Sequence, residues 1–130
     1  MKKASKIIVT MALFLVILFS IPQTAQAANV SFKTYTSSGS VTTYSFDPES
    51  TSFWVGGTYL QTGVYVFIAQ SVADSCGYSP GICDGIYGTN TKNAIKLFQS
   101  AYALSSDGIV GTGTWRTMYT LRGSWMFLTN

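Results

Sequence analysis

Two aspartates have the first claim to chemistry in this chain, because each opens a copy of the same stretch. Asp84-Gly85-Ile86-Tyr87-Gly88-Thr89-Asn90-Thr91 recurs 23 positions later as Asp107-Gly108-Ile109-Val110-Gly111-Thr112-Gly113-Thr114. A pair of carboxylates is what a glycoside hydrolase requires, one as acid and one as base or nucleophile. Duplication argues for a structural role instead. Asp-Gly is a tight turn in which the Asp side chain accepts backbone N–H bonds and Gly tolerates positive φ. The following Ile is expected to plug the core, the second Gly to reverse the chain, and a Thr to cap the next helix. Asp47 and Glu49 flank Pro48 and read as a solvated turn, too narrow to straddle a scissile bond. The chain has no histidine, which removes Ser-His-Asp triads, Cys-His dyads and His-containing zinc sites. The expectation is a protein that is not an enzyme and holds no cofactor and no metal.

The elements that must position these turns begin after an export segment. Lys2, Lys3 and Lys6 carry the whole formal charge of +3. Ile7 to Ile21 is an almost unbroken apolar run, shorter than the roughly 20 residues of a membrane-spanning helix. Pro22 ends it, and Ala25-Gln26-Ala27 offers the small residues of a signal-peptidase site. Residues 1–27 are therefore expected to be a cleaved secretory signal of bacterial type, which places the product outside the cell or in its wall. The competing reading is an uncleaved anchor, the one route by which the chain would touch a membrane. Residues 28–130 balance five basic against five acidic groups, which argues against a nucleic-acid partner. Export also bears on Cys76 and Cys83. Outside the cytoplasm a pair so closely spaced is expected to form a structural disulfide, adding about 2–3 kcal/mol by loop closure.

The remaining sequence divides in two, with a tail over 124–130. Residues 28–62 are rich in Ser and Thr interleaved with aromatics. Asn29–Thr36, Val41–Phe46 and Ser52–Val55 read as short strands, with Ser37-Ser38-Gly39-Ser40 as the turn between the first two. A flexible Ser/Thr linker is the alternative, against which the aromatics speak. Residues 63–123 switch to helical period. Val66, Ala69, Ala73 and Cys76 form one stripe, stopped by Gly77. Ala94, Ile95, Phe98, Ala101 and Tyr102 form a second, capped by Thr89 or Asn90. Trp115, Met118 and Tyr119 or Leu121 form a third, capped by Thr112 and terminated by Gly123. The fold class is mainly α: a small three-helix bundle preceded by a β-hairpin-like segment.

Residues 63–119 resemble a known family, the helical peptidoglycan-binding domain attached to many bacterial cell-wall hydrolases. The resemblance rests on Val66, Ala69-Gln70 and Ala73, then Gly77-Tyr78 and Pro80-Gly81. It continues through Asp84-Gly85-Ile86-Tyr87-Gly88, Thr91, Ala94-Ile95 and Phe98-Gln99. It closes with Asp107-Gly108-Ile109-Val110-Gly111 and Thr114-Trp115. Phe67 and Ile68 stand where the family is usually polar, which implies that the N-terminal segment or a partner covers that face. The cysteine pair is not a general family feature.

The resemblance implies a secreted, non-catalytic wall-binding protein whose partner is the glycan or stem peptide of peptidoglycan, acting with a separate cell-wall hydrolase. It places the ligand in a shallow groove near the two turns and the helix starts. Tyr87, Thr91 and Trp115 are candidates to present a ring or a donor there, and Asp84 and Asp107 to shape it. Each has a structural alternative: Trp115 as core, Tyr87 as cover for the turn. Tyr78 and Tyr102 are further candidates for exposed aromatics. The alternative function is a secreted protein-interaction or inhibitor module on the same scaffold, which exposure of Phe67 and Ile68 would favour.

Overall fold

The computed structural model describes residues 28–129; the expected signal sequence and its cleavage after Ala27 lie outside them. In chain order the elements are β1 (Val30–Thr36), β2 (Val41–Phe46), α1 (Val64–Ser75), α2 (Thr89–Ala101), α3 (Thr112–Arg122) and β3 (Met126–Thr129). The third expected strand is instead a short 3-10 turn at Thr51–Phe53, after which Val55 makes single bridges to Leu60 and Val110.

Helix positions follow the apolar periodicity. On α2 the stripe Ala94, Ile95, Phe98 is buried, and on α3 Trp115 and Met118 are buried. The central α1 is enclosed on most sides, with Val66, Ile68, Ala69, Val72 and Ala73 in the core. Both α1 and α2 end in the same motif. The Tyr78 N–H donates to the Ala73 carbonyl at 2.9 Å and the Gly77 N–H to that of Asp74 at 3.0 Å. At the end of α2, Leu104 donates to Gln99 at 2.9 Å and Ala103 to Ser100 at 3.4 Å. This motif requires a left-handed residue past the helix end. Gly77 supplies it at φ 92°, whereas at the second site a non-glycine, Ala103, takes φ 56°.

Residues 28–62 are folded into the same core. Alternation on β1 points Val30, Phe32 and Thr34 inward, as the two-residue period of a strand demands. β2 pairs antiparallel with β1, from Val30 opposite Phe46 to Tyr35 opposite Val41. The rings then stack into one cluster with α1 and α3. Phe32 lies 5.6 Å from Trp115, and Phe46 lies 5.1 Å from Trp115, Phe53 and Tyr65. The Trp115 indole N–H donates to the Phe53 carbonyl at 3.0 Å. The expected C-terminal tail is largely a strand: β3 pairs parallel with β1 from Lys33 opposite Met126 to Thr36 opposite Thr129, giving sheet order β2-β1-β3.

Cys76 and Cys83 stand as unbonded thiols in the structure, so the expected disulfide is not shown. Successive residues turn by about 100°, so Cys76 points roughly half a turn away from the Phe67 side of α1. Cys76 packs against the core, while Cys83 lies on the Phe67, Ser71, Asp74 side. Burial, followed by the Asp74 charge, pushes the Cys83 thiol up.

Because Ala103 occupies a left-handed position, Ala103→Gly is expected to stabilise the fold by about 1 kcal/mol. Urea denaturation of the variant beside wild type measures this, and an unchanged or lowered midpoint contradicts it.

Candidate functional site

Each duplicated turn is built around a buried glutamine from the preceding helix. Gln70 of α1 donates through Nε2 to Asp84 Oδ1 (3.3 Å), the Ile86 carbonyl (3.0 Å) and Thr91 Oγ1 (2.9 Å), and its Oε1 accepts the Gly85 N–H (2.9 Å). Gln99 of α2 repeats the set: Nε2 donates to Asp107 Oδ1 (3.1 Å), the Ile109 carbonyl (2.8 Å) and Thr114 Oγ1 (3.2 Å), and Oε1 accepts the Gly108 N–H (2.9 Å). Both glutamines are buried, at 0% and 1% exposure. In each turn the Asp Oδ1 also accepts the N–H two residues on, from Ile86 and Ile109, both at 2.9 Å. The Ile86 N–H and the Gln70 amide hold the Asp84 carboxyl below its ordinary value. Each aspartate therefore has one oxygen fixed in its turn, while Oδ2 has no hydrogen-bond partner among the described residues.

The chain between the hairpin and α1 laces the turns together. Val55 exchanges backbone hydrogen bonds with Val110 at 2.8 and 3.2 Å, Gln61 accepts the Tyr87 N–H at 2.8 Å, and the Gly63 N–H reaches the Gly85 carbonyl at 2.9 Å. The Tyr87 hydroxyl donates to the Gly108 carbonyl, joining the first turn to the second. Burial, with a smaller push from the Asp107 charge, raises that phenol to about 12. Gly56 threads beside it: at φ 88°, a Cβ there would lie 2.7 Å from the Tyr87 ring and 2.8 Å from the Gly108 carbonyl.

Beside each turn lies a cleft, and the two are related by the same 23-residue offset. The first, about 450 Å³, is walled by Pro80, Ile82, Asp84, Ile86, Thr89 and Asn90. The second, about 290 Å³, is walled by Leu104, Ser105, Asp107, Ile109, Thr112 and Gly113, with Trp54 and Tyr59 added from the N-terminal segment. Each includes the first turn of a helix, where backbone N–H groups have no partner within the helix.

The structure redistributes the residues singled out from sequence. Trp115 is fully buried in the core, and Thr91, 2% exposed, accepts from Gln70 through its hydroxyl at the edge of the first cleft. Tyr87 is half-buried and serves as the link between turns. Asp84 and Asp107 are exposed and line no cleft in common, so the pair does not converge on a common point. Ile86, expected in the core, is 59% exposed. The helices start from Gly88 and Gly111 in extended backbone, without side-chain caps. The Thr112 hydroxyl donates instead to the Pro48 carbonyl at 3.0 Å. The turn at 47–49 is not merely solvated: Pro48 is buried and Glu49 pairs with Arg116 at 2.9 Å. Ile68 is buried, and Phe67 lines a groove whose other wall is β3. Trp54, Tyr59 and the two glutamines carry the site's construction without having been assigned roles from sequence.

Residues 69–118 match the family model of the peptidoglycan binding domain. The chain is 38% identical over 52 residues to the N-acetylmuramoyl-L-alanine amidase CwlM of Mycobacterium tuberculosis, covering 40% of this chain and 13% of the amidase. It is 49% identical over 39 residues to the zinc D-Ala-D-Ala carboxypeptidase of Streptomyces albus G, covering 30% of this chain and 15% of the carboxypeptidase. This chain thus matches less than a fifth of the length of either curated relative. Among solved structures it is similar to a peptidoglycan-binding protein from Clostridioides difficile, determined in complex with glutamine hydroxamate. The TM-score is 0.50 at 29% identity, covering 62% of this chain and 51% of the other. The SleB N-terminal domain aligns at 30% identity with a TM-score of 0.46, over 47% of this chain and 84% of that domain. Over residues 69–118 the chain is thus similar to a peptidoglycan-binding domain.

Gln99→Leu leaves the buried Gly108 N–H and Ile109 carbonyl without their partner and is expected to cost about 2–4 kcal/mol in urea unfolding. Leu97→Gln, on the exposed side of the same helix, should change stability by less than about 0.5 kcal/mol. The lowered Asp84 value fixes a sign. Stability from its ionised form is present above the unfolded-state value of about 3.9 and is lost as pH falls through the lower folded value. Thermal melts from pH 5 down to pH 2 should therefore fall less steeply for Asp84→Asn than for wild type.

Proposed function

We propose that this chain is an exported, non-catalytic protein that holds peptidoglycan at the clefts beside its duplicated turns and works with a separate wall hydrolase. The observation that carries the reading is the pair of repeat-related clefts on a peptidoglycan-binding scaffold. Each cleft combines an unpartnered carboxylate oxygen, a helix start and aliphatic surface. Asp84 and Asp107 frame the clefts, and Tyr87 fixes their spacing. The first cleft is the more open and offers Ile86 and Ile82 at 59% and 82% exposure, flanked by Thr89 and Asn90. Such a surface suits the methyl-bearing, amide-rich stem peptide, because aliphatic contact and hydrogen bonding are available side by side.

A holding role rather than a cutting role is supported by what the carboxylates do. One oxygen of each is fixed in a turn, and the depressed Asp84 value leaves it ionised near neutrality, unsuited to giving up a proton as a general acid. The curated relatives are an amidase and a carboxypeptidase in which the matched stretch is a small fraction of the protein. A protein-interaction module on the same scaffold is less well supported, since Ile68 is in the core rather than on the surface.

Residues 28–130 are expected to sediment with purified bacterial peptidoglycan. Because those residues carry no net formal charge, retention should change little between low and high salt. Ile86→Glu should reduce retention without lowering the melting temperature. Protein that stays in the supernatant across salt and pH overturns the proposal.

A further inference from the structure

The two clefts differ in one respect that the duplication does not explain. The second has two aromatic rings in its wall, Trp54 and Tyr59, and both come from a segment outside residues 69–118, the part that matches the family model. The corresponding wall of the first cleft is aliphatic and polar, with no aromatic ring. Trp54 is held in place from several directions. Its indole N–H donates to the Pro48 carbonyl at 3.0 Å, and its ring lies over Gly111, where a Cβ would meet three ring atoms at 3.4–3.5 Å. Tyr59 stands nearly edge-on to it at 5.1 Å. Both rings remain partly exposed. Around them are hydrogen-bonding groups without partners among the described residues: the Tyr59 and Ser105 hydroxyls and Asp107 Oδ2. Gly113, on the first turn of α3, adds a backbone N–H that the helix does not use.

We propose that this cleft is a saccharide subsite that takes one N-acetylhexosamine ring of a glycan strand. The proposal rests on the peptidoglycan reading above and deepens it by assigning the sugar and the stem peptide to different clefts. An aromatic face carries partial negative charge, and the axial C–H groups of a pyranose present partial positive charge to it, so flat rings select sugars over extended peptide. The rim supplies what the polar edge of the sugar needs. Asp107 Oδ2 accepts from a ring hydroxyl, and the Gly113 N–H donates to the acetamido carbonyl. At about 290 Å³ the cleft sits at the small end of ligand sites, with room for a single ring. A Trp54 ring already fixed by Pro48 and Gly111 loses little freedom on binding.

The test is calorimetric titration of residues 28–130 with a β-1,4-linked N-acetylglucosamine tetramer, run beside sedimentation with peptidoglycan. Wild type is expected to bind the tetramer, and Tyr59→Ala to bind it about fivefold more weakly. Gly113→Gln guards against a merely unfolded variant. Its Cβ would meet nothing closer than a Leu104 methyl at 3.6 Å, so the fold is kept while the side chain fills the cleft; tetramer binding should be lost with the melting temperature unchanged. Ile86→Glu, in the other cleft, should leave the tetramer titration unaltered. Tetramer binding unaffected by Gly113→Gln, or no tetramer binding by folded wild type that still sediments with walls, overturns the subsite and leaves the wall-binding reading standing. Tetramer binding by protein that fails to sediment supports the subsite and overturns that reading.

Discussion

A primary amide buried on the inner face of a helix is the constraint on which the rest of this structure depends. Gln70 and Gln99 each gather four polar groups from the turn that follows: a carboxylate, a carbonyl, a hydroxyl and an N–H. The hydroxyl and the N–H are withdrawn from water at the point where the chain must reverse, while the carboxylate stays exposed. Such an arrangement is worth little more than its neighbours when complete and is costly when one member is missing. It therefore acts as a selector of conformation. The turn takes the one geometry that presents all four groups, and this fixes where the next helix starts. Orientation passes serially, α1 placing the first turn and α2, α2 placing the second turn and α3.

Three helices so arranged would still leave a broad aromatic surface uncovered, and the N-terminal hairpin supplies the cover. Phe32 and Phe46 close over Trp115, while the strand-like chain from Val55 to Gly63 runs along both turns and bonds to each. Tyr87 and Gly56 meet where these systems cross, the phenol reaching from one turn to the other past a residue with no side chain. The site is thus shaped by two layers. The helical repeat makes two similar clefts, and the N-terminal segment makes them unlike by lining one with Trp54 and Tyr59 and leaving the other open.

Much of this was legible in the sequence, and the misreadings have physical causes. The stripes Ala94, Ile95, Phe98 and Trp115, Met118 gave the helices because burial follows the 3.6-residue period closely there. The alternation in Val30-Ser31-Phe32 gave β1. The turns were visible as a repeat at 23 residues, but Gln70 and Gln99 are 29 apart, since the loop after α1 is longer, so the clamp falls out of register with the motif it serves. Thr89 and Thr112 have the composition of caps, yet glycines take that position and Thr91 and Thr114 bond the glutamines. Ile86 reads as core by type; only its counterpart Ile109 lies beneath the Gly57 backbone. β3 was hidden because its partner strand lies some 90 residues away, and local pattern carries no information about so distant a pairing. The placement of the two cysteines depends on which side of α1 each faces, which spacing alone does not give.

The pairing of β1 with β3 has a mechanical consequence. The two strands run parallel, and the described chain enters the sheet at Val30 and leaves it at Thr129. A tension applied between these two points drags the strands past one another along their length instead of peeling them apart from one end. Hydrogen bonds loaded in that direction share the force and must yield together, whereas a peeled pair yields one bond at a time. A load applied between Val30 and Thr129 would thus be met across the whole joint between β1 and β3.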